Sequence, residues 1–273
     1  MVARTAAAAL LAACAFLLGC QERMMYYPRA YNPAETRYFL ESGGVALAYT
    51  TAHGAQRAFF KPGREGCGRV WIVCAGNGSL ALELSDFAPD WDGDAGWLFV
   101  DYPGYGGNAG RPSPSAIRHS LLGAVDALAA HLKTTREALI PRLGVAGQSL
   151  GAAAALIVAD ELGLQKAVLF SPFTTMTEMG RIAVGWPLCH LNRHRYDNRA
   201  RLASFVARGG RAWIVHGVDD EIIPVRMGRE LAAAHPSSVT LTEAPGTHND
   251  LWFTAPGALA AAFRAANHPA AHP

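Results

Sequence analysis

The stretch VAGQSLGAAAALIVAD, which spans residues 145–160, decides the fold of this chain. It joins an apolar, strand-like run to an alanine-rich segment typical of a helix, and Ser149 lies at the join between Gly147 and Gly151. A serine flanked in this way at a strand-to-helix turn is typical of a nucleophile elbow, which holds the serine hydroxyl at the end of a buried strand. Because GQSLG is a short pattern that also arises by chance, the surrounding sequence must decide whether Ser149 is a nucleophile or only part of a turn.

The rest of the chain alternates between strand-like and helix-like segments. The apolar, β-rich runs fall at 45–51, 69–75, 97–102, 143–147, 166–170, 211–216 and 238–243. Helical patterns separate most of these runs, and this alternation predicts βαβ units in a mostly parallel sheet with helices on both faces. We therefore predict one α/β domain over residues 37–268. Residues 174–202 interrupt the alternation, and we interpret them as a short cap inserted above the sheet.

The N-terminus has the features of a bacterial lipoprotein signal peptide. The stretch from Ala6 to Leu18 is uncharged and apolar, but it is shorter than the roughly 20 residues that span a bilayer. The run LLGC that follows resembles a lipobox, so we predict a signal peptide at 1–19, lipid attachment at Cys20 and a tether at 20–36. By resemblance to lipoprotein sorting, Gln21 after the cysteine favours the outer membrane, facing the periplasm. A plain secretory signal or an uncleaved anchor is the alternative.

Composition and cysteine usage exclude several classes of protein. The formal net charge is only +2 and no basic stripe with interleaved aromatics is present, so we predict no nucleic-acid partner. Cys67 and Cys74 bracket one predicted strand and would lie about 20 Å apart, too far to form a disulfide. Cys189, His190 and His194 lack a fourth ligand and a recognisable zinc spacing. We predict no metal and no organic cofactor, and a small-molecule or acylated substrate; the oligomeric state stays open.

A nucleophilic serine needs a base and an acid that orients the base, and in this architecture the acid precedes the histidine along the chain. The segment WIVHGVDDEIIP places Asp219 and Asp220 after one strand, and GTHND places His248 after the next. The carboxyl ends of parallel strands are where an α/β sheet opens its crevice. His216 precedes the acids, and we interpret it as a structural residue; Asp250 reads as a helix-start carboxylate. The pattern alone leaves Asp219 and Asp220 as competing acids.

An oxyanion hole needs two backbone N–H groups directed at the developing charge. Leu150, the residue after the serine, supplies one candidate. The loop AGNG at 75–78, which follows an early buried strand, supplies the other, and we predict the N–H of Asn77. Glycines of this kind are also common in ordinary βα turns, so this loop is weaker evidence than the triad.

Taken together, these motifs resemble those of the α/β-hydrolase superfamily, and within it the small serine hydrolases of the ABHD type, which include palmitoyl-protein thioesterases and serine aminopeptidase-like proteins. The matching motifs are MMYYP at 24–28, AGNG at 75–78, DYPGYGGNAGRPS at 101–113, GQSLG at 147–151, SPFTT at 171–175, RYDN at 195–198, HGVDDEIIP at 216–224 and GTHND at 246–250. The resemblance implies that Ser149 is the nucleophile, His248 the base and Asp220, rather than Asp219, the acid. The family has a histidine where this chain has Ala75.

The activity that the resemblance implies is hydrolysis of a carboxylic ester or thioester through an acyl-enzyme. Because a histidine base is inactive when protonated, we expect activity to fall below about pH 6.5. Three alternatives stay open: a serine peptidase, a non-hydrolytic enzyme on the same fold, and a catalytically idle lipoprotein that binds a partner.

Overall fold

The fold is described by a computed structural model that covers residues 21–23, 25–64 and 68–268. Within these ranges eight strands form one sheet in the order β1-β2-β4-β3-β5-β6-β7-β8. The strands are β1 (Val45–Thr51), β2 (Gly54–Lys61), β3 (Val70–Cys74), β4 (Gly96–Val100), β5 (Leu143–Gln148), β6 (Lys166–Phe170), β7 (Arg211–Gly217) and β8 (Val239–Ala244). β2 pairs antiparallel with both β1 and β4, and every other neighbouring pair is parallel. The prediction of a mostly parallel sheet is therefore confirmed.

The helices follow the strands as a βαβ pattern requires. They are α1 (Pro33–Glu41), α2 (Ala88–Trp91), α3 (Pro114–His131), α4 (Arg136–Leu139), α5 (Leu150–Leu162), α6 (Met176–Val184), α7 (Asn198–Ala207), α8 (Arg226–Ala233), α9 (Leu251–Thr254) and α10 (Pro256–Asn267). Short 3-10 helices lie at Ala81–Leu84, Ile140–Arg142 and Leu188–Leu191. The sequence sets the start of α3: the Ser113 hydroxyl accepts from Ala116 N at 3.1 Å, and proline stands at the first helical position.

The central strands are apolar throughout because helices cover both of their faces. On β3, Ile72 and Cys74 contribute to the core shared with α3 and α5, whereas Trp71 and Val73 contribute to the core shared with α10. All residues of β3, β4 and β5 are buried. An alternating polar pattern would have put side chains with unpaired polar groups into one of these cores.

The sequence pattern missed β2. This strand forms a hairpin with β1 in which Thr51 pairs with Gly54, and Gly54 has a φ of +104° that favours glycine. The other edge of β2 pairs with β4, Ala58 opposite Val100. The first half of β2 carries exposed Ala55 beside polar residues, so its composition resembles a loop, and it is pairing on both edges that holds it as a strand.

The described part of the predicted tether, 20–36, packs against the domain. Tyr26 is buried, and its hydroxyl lies 2.8 Å from the hydroxyl of Tyr196. The hydroxyl of Tyr31 donates to Oδ2 of the buried Asp101 at 2.5 Å, and α1 begins within the same interval. The packed domain therefore begins well before residue 37, because these aromatic side chains find both apolar surface and buried hydrogen-bond partners.

The cap is shorter than the predicted 174–202. An isolated antiparallel bridge between Thr175 and Asp197 closes its base. The cap consists of α6, the 3-10 helix Leu188–Leu191 and their connections. Leu202 lies on α7 and is buried in the core with α5, so the last part of the predicted insertion belongs to the helix layer of the domain.

Some of the sequence predictions fall outside the described ranges. These are the signal peptide at 1–19, the lipid attachment at Cys20 and the position of Cys67. In the part that the structure does describe, Cys74 and Cys189 are buried free thiols. None of the helices in those same ranges is long and apolar enough to cross a bilayer.

Tyr31 ties the N-terminal segment to the sheet, and its removal tests that role. We expect Tyr31→Phe to lower the free energy of unfolding by about 1–3 kcal/mol, because it removes the donor to the Asp101 carboxylate and the acceptor of Leu82 N. Urea denaturation measures the change. Tyr38→Phe on the exposed side of α1 is the matched control and should change the free energy of unfolding by less than about 0.5 kcal/mol. Equal effects of the two changes would contradict the assignment.

Candidate active site

The serine lies on a sharp turn between β5 and α5. Ser149 has φ 55° and ψ −116°, a conformation that non-glycine residues rarely adopt. The turn forms because its flanking glycines lack a Cβ: one at Gly147 would lie 2.1 Å from the carbonyl oxygen of Gly151, and one at Gly151 would lie 2.0 Å from that of Cys74. The structure thus has the strand–turn–helix geometry that the GQSLG pattern predicts.

The two predicted oxyanion donors lie beside this turn. Asn77 follows β3, and Leu150 is the first residue of α5, so its N–H group has no partner within the helix. In the described chain neither N–H group has a backbone acceptor. Both residues line the cavity that Ser149 also lines. The N–H of Leu150 also lies at the positive end of a helix, which favours a negative charge at that position.

Side-chain hydrogen bonds fix the orientation of Asn77. Its Oδ1 accepts from the backbone N of Tyr27 at 3.1 Å and from the hydroxyl of Tyr105 at 2.8 Å. Its Nδ2 donates to the carbonyl oxygen of Met25 at 2.8 Å. We call residues 25–31 the strap. The sequence analysis predicted neither the contact of the strap with Asn77 nor the hydrogen bond from Tyr105 to Asn77. The only signal for Tyr105 was its position in the DYPGYG motif.

The structure brings His248 and Asp220 together. His248 Nδ1 lies 2.8 Å from Asp220 Oδ2, and both side chains are buried. Asp220 Oδ1 accepts from the backbone N of Ile222 at 3.0 Å and of Ile223 at 2.7 Å. A carboxylate at Nδ1 requires the proton to be there, so Nε2 of the neutral ring carries the lone pair that a general base needs. The competing candidate Asp219 is exposed, whereas Asp220 is buried and contacts His248.

The carboxylate of Asp220 is shared between two imidazole rings. His216 Nε2 donates to the carbonyl oxygen of Ile223 at 2.8 Å and lies 3.4 Å from Asp220 Oδ2. Burial by itself would raise the pKa of Asp220, but hydrogen bonds from His216 and His248, with the N–H of Ile223, outweigh it and hold that pKa well below its usual range. Asp220 is therefore a carboxylate, and His216 helps to close the turn that carries it.

Gln148 is a site residue that the sequence reasoning missed. Its Nε2 donates to the carbonyl oxygen of His248 at 2.7 Å in a buried position, and so attaches the histidine loop to the strand that ends at the serine. On the other side of that loop, Asp250 Oδ1 accepts from Thr247 N at 2.6 Å. The sequence did offer a signal, because Gln148 is a polar residue at the end of an otherwise apolar strand. A buried side-chain amide needs a hydrogen-bond partner, so such a residue predicts a contact with a neighbouring loop.

Ser149 and His248 line one cavity of about 400 Å³ between the sheet and the cap. No hydrogen bond joins their side chains among the described residues. Catalytic contacts of this kind are often long without substrate and shorten in the complex. The cavity wall is mostly apolar, and the cap supplies much of it: Met176, Met179, Gly180, Ala183, Val184, Leu188, Cys189 and Leu191. None of the lining residues within the described ranges carries a carboxylate.

The cap residues considered as metal ligands do not form a site. Cys189 is buried, His190 is exposed, and His194 Nδ1 lies 2.9 Å from the hydroxyl of Tyr26. In the part of the chain covered by the structure, no group of three or more His, Cys, Asp or Glu side chains is arranged to hold a metal ion.

Comparison with known proteins supports the fold. No family model matches the chain. The uncharacterized protein Rv2307c of Mycobacterium tuberculosis is 31% identical over 242 residues, which cover 86% of this chain and 83% of that protein. The uncharacterized protein MT2364 from another strain of that species matches equally well.

Solved structures of hydrolases share the architecture. Esterase Pf2001 of Pyrococcus furiosus aligns with a TM-score of 0.69 at 16% identity, over 87% of this chain and 95% of the esterase. XC6422 of Xanthomonas campestris, an α/β serine hydrolase without a lid, aligns with a TM-score of 0.57 at 15% identity, over 84% and 97%. The acylaminoacyl peptidase of Pyrococcus horikoshii aligns with a TM-score of 0.62 at 10% identity, over 86% of this chain but 43% of the peptidase. The chain therefore has the α/β-hydrolase fold.

The close approach of α5 to β3 predicts a specific sensitivity at Gly151. We expect Gly151→Ala to lower the free energy of unfolding by at least about 1–3 kcal/mol, because its Cβ would overlap the carbonyl oxygen of Cys74 and push the helix away. Gly257→Ala in α10 is the control: nothing lies within 4 Å of its added Cβ, so stability should stay the same or rise by up to about 1 kcal/mol. Thermal unfolding of both variants measures the difference, and a fully stable Gly151→Ala would contradict the described packing.

Proposed function

This chain belongs to the family of the mycobacterial protein Rv2307c and has the α/β-hydrolase fold, and we propose that it is a serine hydrolase that cleaves carboxylic esters or thioesters. One observation carries the proposal: the 2.8 Å contact between His248 and the buried Asp220 lies in the same site as Ser149 on its strained turn. A turn that served only to connect strand and helix would not need a buried, ionised carboxylate to orient a histidine beside it.

The reaction follows from the positions of these groups. His248 Nε2 takes the proton of the Ser149 hydroxyl while Oγ bonds to the carbonyl carbon of the substrate. The carbonyl oxygen becomes an oxyanion that accepts hydrogen bonds from the N–H groups of Asn77 and Leu150. The protonated His248 then gives its proton to the leaving alcohol or thiol as the C–O or C–S bond breaks. His248 next deprotonates a water molecule, which attacks the acyl-enzyme, releases the acid and restores Ser149.

The ionisation of Asp220 supports the second half of this sequence. Because the pKa of Asp220 is held low, the group stays a carboxylate from neutral to mildly acidic pH and stabilises the imidazolium that forms at His248. Protonation of Asp220 therefore does not account for the loss of activity that we expect on mild acidification.

The cavity favours an acyl ester or thioester over a peptide. Its wall is apolar and, in the described chain, has no carboxylate to bind the amino group that an aminopeptidase reads. Methionine and small aliphatic side chains suit a flexible hydrocarbon chain. A peptidase is the second candidate, supported by the structural similarity to the acylaminoacyl peptidase. An idle scaffold is less well supported, because the chain retains Ser149, Asp220 and His248, the residues proposed as serine, acid and base.

The location that we propose is the bacterial cell envelope. The support comes from the sequence, in which an apolar stretch ends at Cys20. A lipid on Cys20 would anchor the domain to a membrane, with the outer membrane and its periplasmic side favoured by Gln21.

Labelling with a fluorophosphonate probe tests the nucleophile. We expect the wild-type protein to be labelled covalently and Ser149→Ala not to be labelled, with His248→Ala strongly reduced because the hydroxyl loses its base. Ser171→Ala is the control, since Ser171 is a buried serine that also has positive φ. If folded wild-type protein is not labelled, the idle scaffold becomes the better explanation.

With a labelled enzyme, faster turnover of p-nitrophenyl esters than of aminoacyl p-nitroanilides would separate an esterase from a peptidase.

A pair of adjacent aspartates tests the acid. We expect Asp220→Asn to lower kcat/KM by about 10³–10⁴-fold, because an amide at this position leaves His248 in the wrong tautomer. The neighbouring Asp219→Asn removes the same charge from an exposed position and should leave kcat/KM nearly unchanged. Circular dichroism of both variants checks that they fold. A large loss of activity in Asp219→Asn alone would move the acid to that residue.

A further inference from the structure

Large apolar side chains are exposed around the cavity and on the cap above it. Tyr27 and Ile222 line the cavity and are also exposed to solvent, so they mark its opening. On the cap, Ile182 is half exposed and Trp186 is 74% exposed. Exposed aromatic and aliphatic groups gathered at the entrance of an apolar cavity indicate a surface that meets another apolar phase.

The geometry of α6 separates an inner from an outer side of the cap. Met176, Met179, Gly180 and Ala183 recur at helical spacing and line the cavity. Ile182 does not line the cavity and is exposed, as helical spacing requires of a residue on the far side of α6. The inner side therefore forms part of the cavity wall, whereas Ile182 on the outer side is half exposed to solvent.

The cap also carries exposed positive charge. Arg181, Arg193 and Arg195 are exposed, and none forms an ion pair with any residue in the described ranges. The cap acid Glu178 is paired with Arg199 on α7. We call Arg181, Ile182, Trp186, Arg193 and Arg195 the cap face. Tryptophan and isoleucine on one cap with arginines that lack an ion-pair partner among the described residues suit the boundary between acyl chains and anionic headgroups.

Gln21, at the N-terminal end of the described chain, contacts the cap face. Gln21 Oε1 accepts from the backbone N of Arg193 at 2.6 Å, and Gln21 also lines the cavity. Gln21 directly follows Cys20, the proposed site of lipid attachment. Tyr26 continues the connection through hydroxyl contacts to Tyr196 and His194 at the base of the cap. The residue that directly follows the proposed lipid-attachment site therefore contacts the cap face and lines the cavity.

We propose that the cap face binds the surface of an anionic phospholipid bilayer, and that the cavity takes its acyl ester or thioester from that bilayer. The membrane-binding surface goes beyond the proposed function. The claim that the substrate comes from the bilayer rests on the proposed function. Membrane contact by the protein surface is independent of the lipid anchor, so it can be measured without the anchor. We commit to a bilayer as the occupant because the cap face combines exposed apolar side chains with arginines that have no ion-pair partner in the described part of the chain.

Vesicle co-sedimentation tests the surface. The protein is the chain from Gln21 to Pro273, which contains every element of the described fold and lacks Cys20. We expect it to bind vesicles of phosphatidylglycerol and phosphatidylethanolamine, and to bind pure phosphatidylcholine vesicles at least about tenfold more weakly. The double variant Ile182→Ser/Trp186→Ser should weaken binding by about tenfold or more, because it removes the inserted apolar groups.

The control is Phe253→Ser. Phe253 is 73% exposed, which closely matches Trp186, but it lines a second cavity that also contains the acidic side chains of Glu83 and Asp86. That surface should be repelled by anionic lipid, so binding should not change. The variant Arg181→Gln/Arg193→Gln/Arg195→Gln should remove the preference for phosphatidylglycerol. Failure of the wild-type chain to bind these vesicles overturns the inference, as does equal weakening by Phe253→Ser.

Hydrolysis separates this inference from the proposed function. The cap-face variants should hydrolyse soluble p-nitrophenyl acetate at the wild-type rate and a long-chain p-nitrophenyl ester embedded in the vesicles about tenfold more slowly. Normal hydrolysis of the soluble ester without vesicle binding overturns the surface and leaves the serine hydrolase in place. Vesicle binding without hydrolysis or fluorophosphonate labelling supports the surface and overturns the hydrolase. If sedimentation velocity shows that the wild-type protein is a dimer and that Ile182→Ser/Trp186→Ser is a monomer, the cap face is instead a contact between two copies and the inference is wrong.

Discussion

The site depends on the contact between Gly151 and the end of β3. The absence of a Cβ lets α5 approach the carbonyl oxygens of Cys74 and Ala75, where any side chain would lie within 2.0 and 2.6 Å of them. That approach places the first N–H of α5 beside the loop after β3, which carries Asn77. At the same turn the backbone of Ser149 has its rare conformation, and Ser149 lines the cavity. One steric condition thus helps to position the proposed nucleophile and both proposed oxyanion donors.

A second constraint is electrostatic. Asp220 is a buried carboxylate, and a buried charge is tolerated only when hydrogen bonds replace its lost hydration. Two backbone N–H groups and two imidazoles provide them. His216 contacts the same carboxylate oxygen as His248, so Asp220 Oδ2 has a second imidazole partner. These hydrogen bonds offset the desolvation of the Asp220 carboxylate. The negative charge is therefore retained and can stabilise an imidazolium at His248.

The sequence predicted those parts of the site that are encoded locally. Ser149 after β5, the aspartates after β7 and the histidine after β8 each follow a strand, and parallel topology brings the ends of such strands together. The contacts of Gln148 and Tyr105 could not be predicted in the same way, because their partners lie far along the chain. β2 and the strap were missed for a related reason: their own residues are mixed in polarity, and it is pairing with distant segments that orders them. The predicted end of the cap at residue 202 was too late, because nothing in the local sequence around Leu202 distinguishes a cap residue from a core residue.

The strap gives the fold a connection that a minimal sheet-and-helix scaffold does not require. Its backbone holds the side chain of Asn77 through Met25 and Tyr27, and its Tyr26 side chain contacts Tyr196 where the chain leaves the cap. The strap therefore joins the oxyanion loop to the base of the cap by direct hydrogen bonds. The strap is also the part of the chain that leads towards the proposed anchor at Cys20, so the oxyanion loop, the base of the cap and the proposed anchor are connected through one short segment.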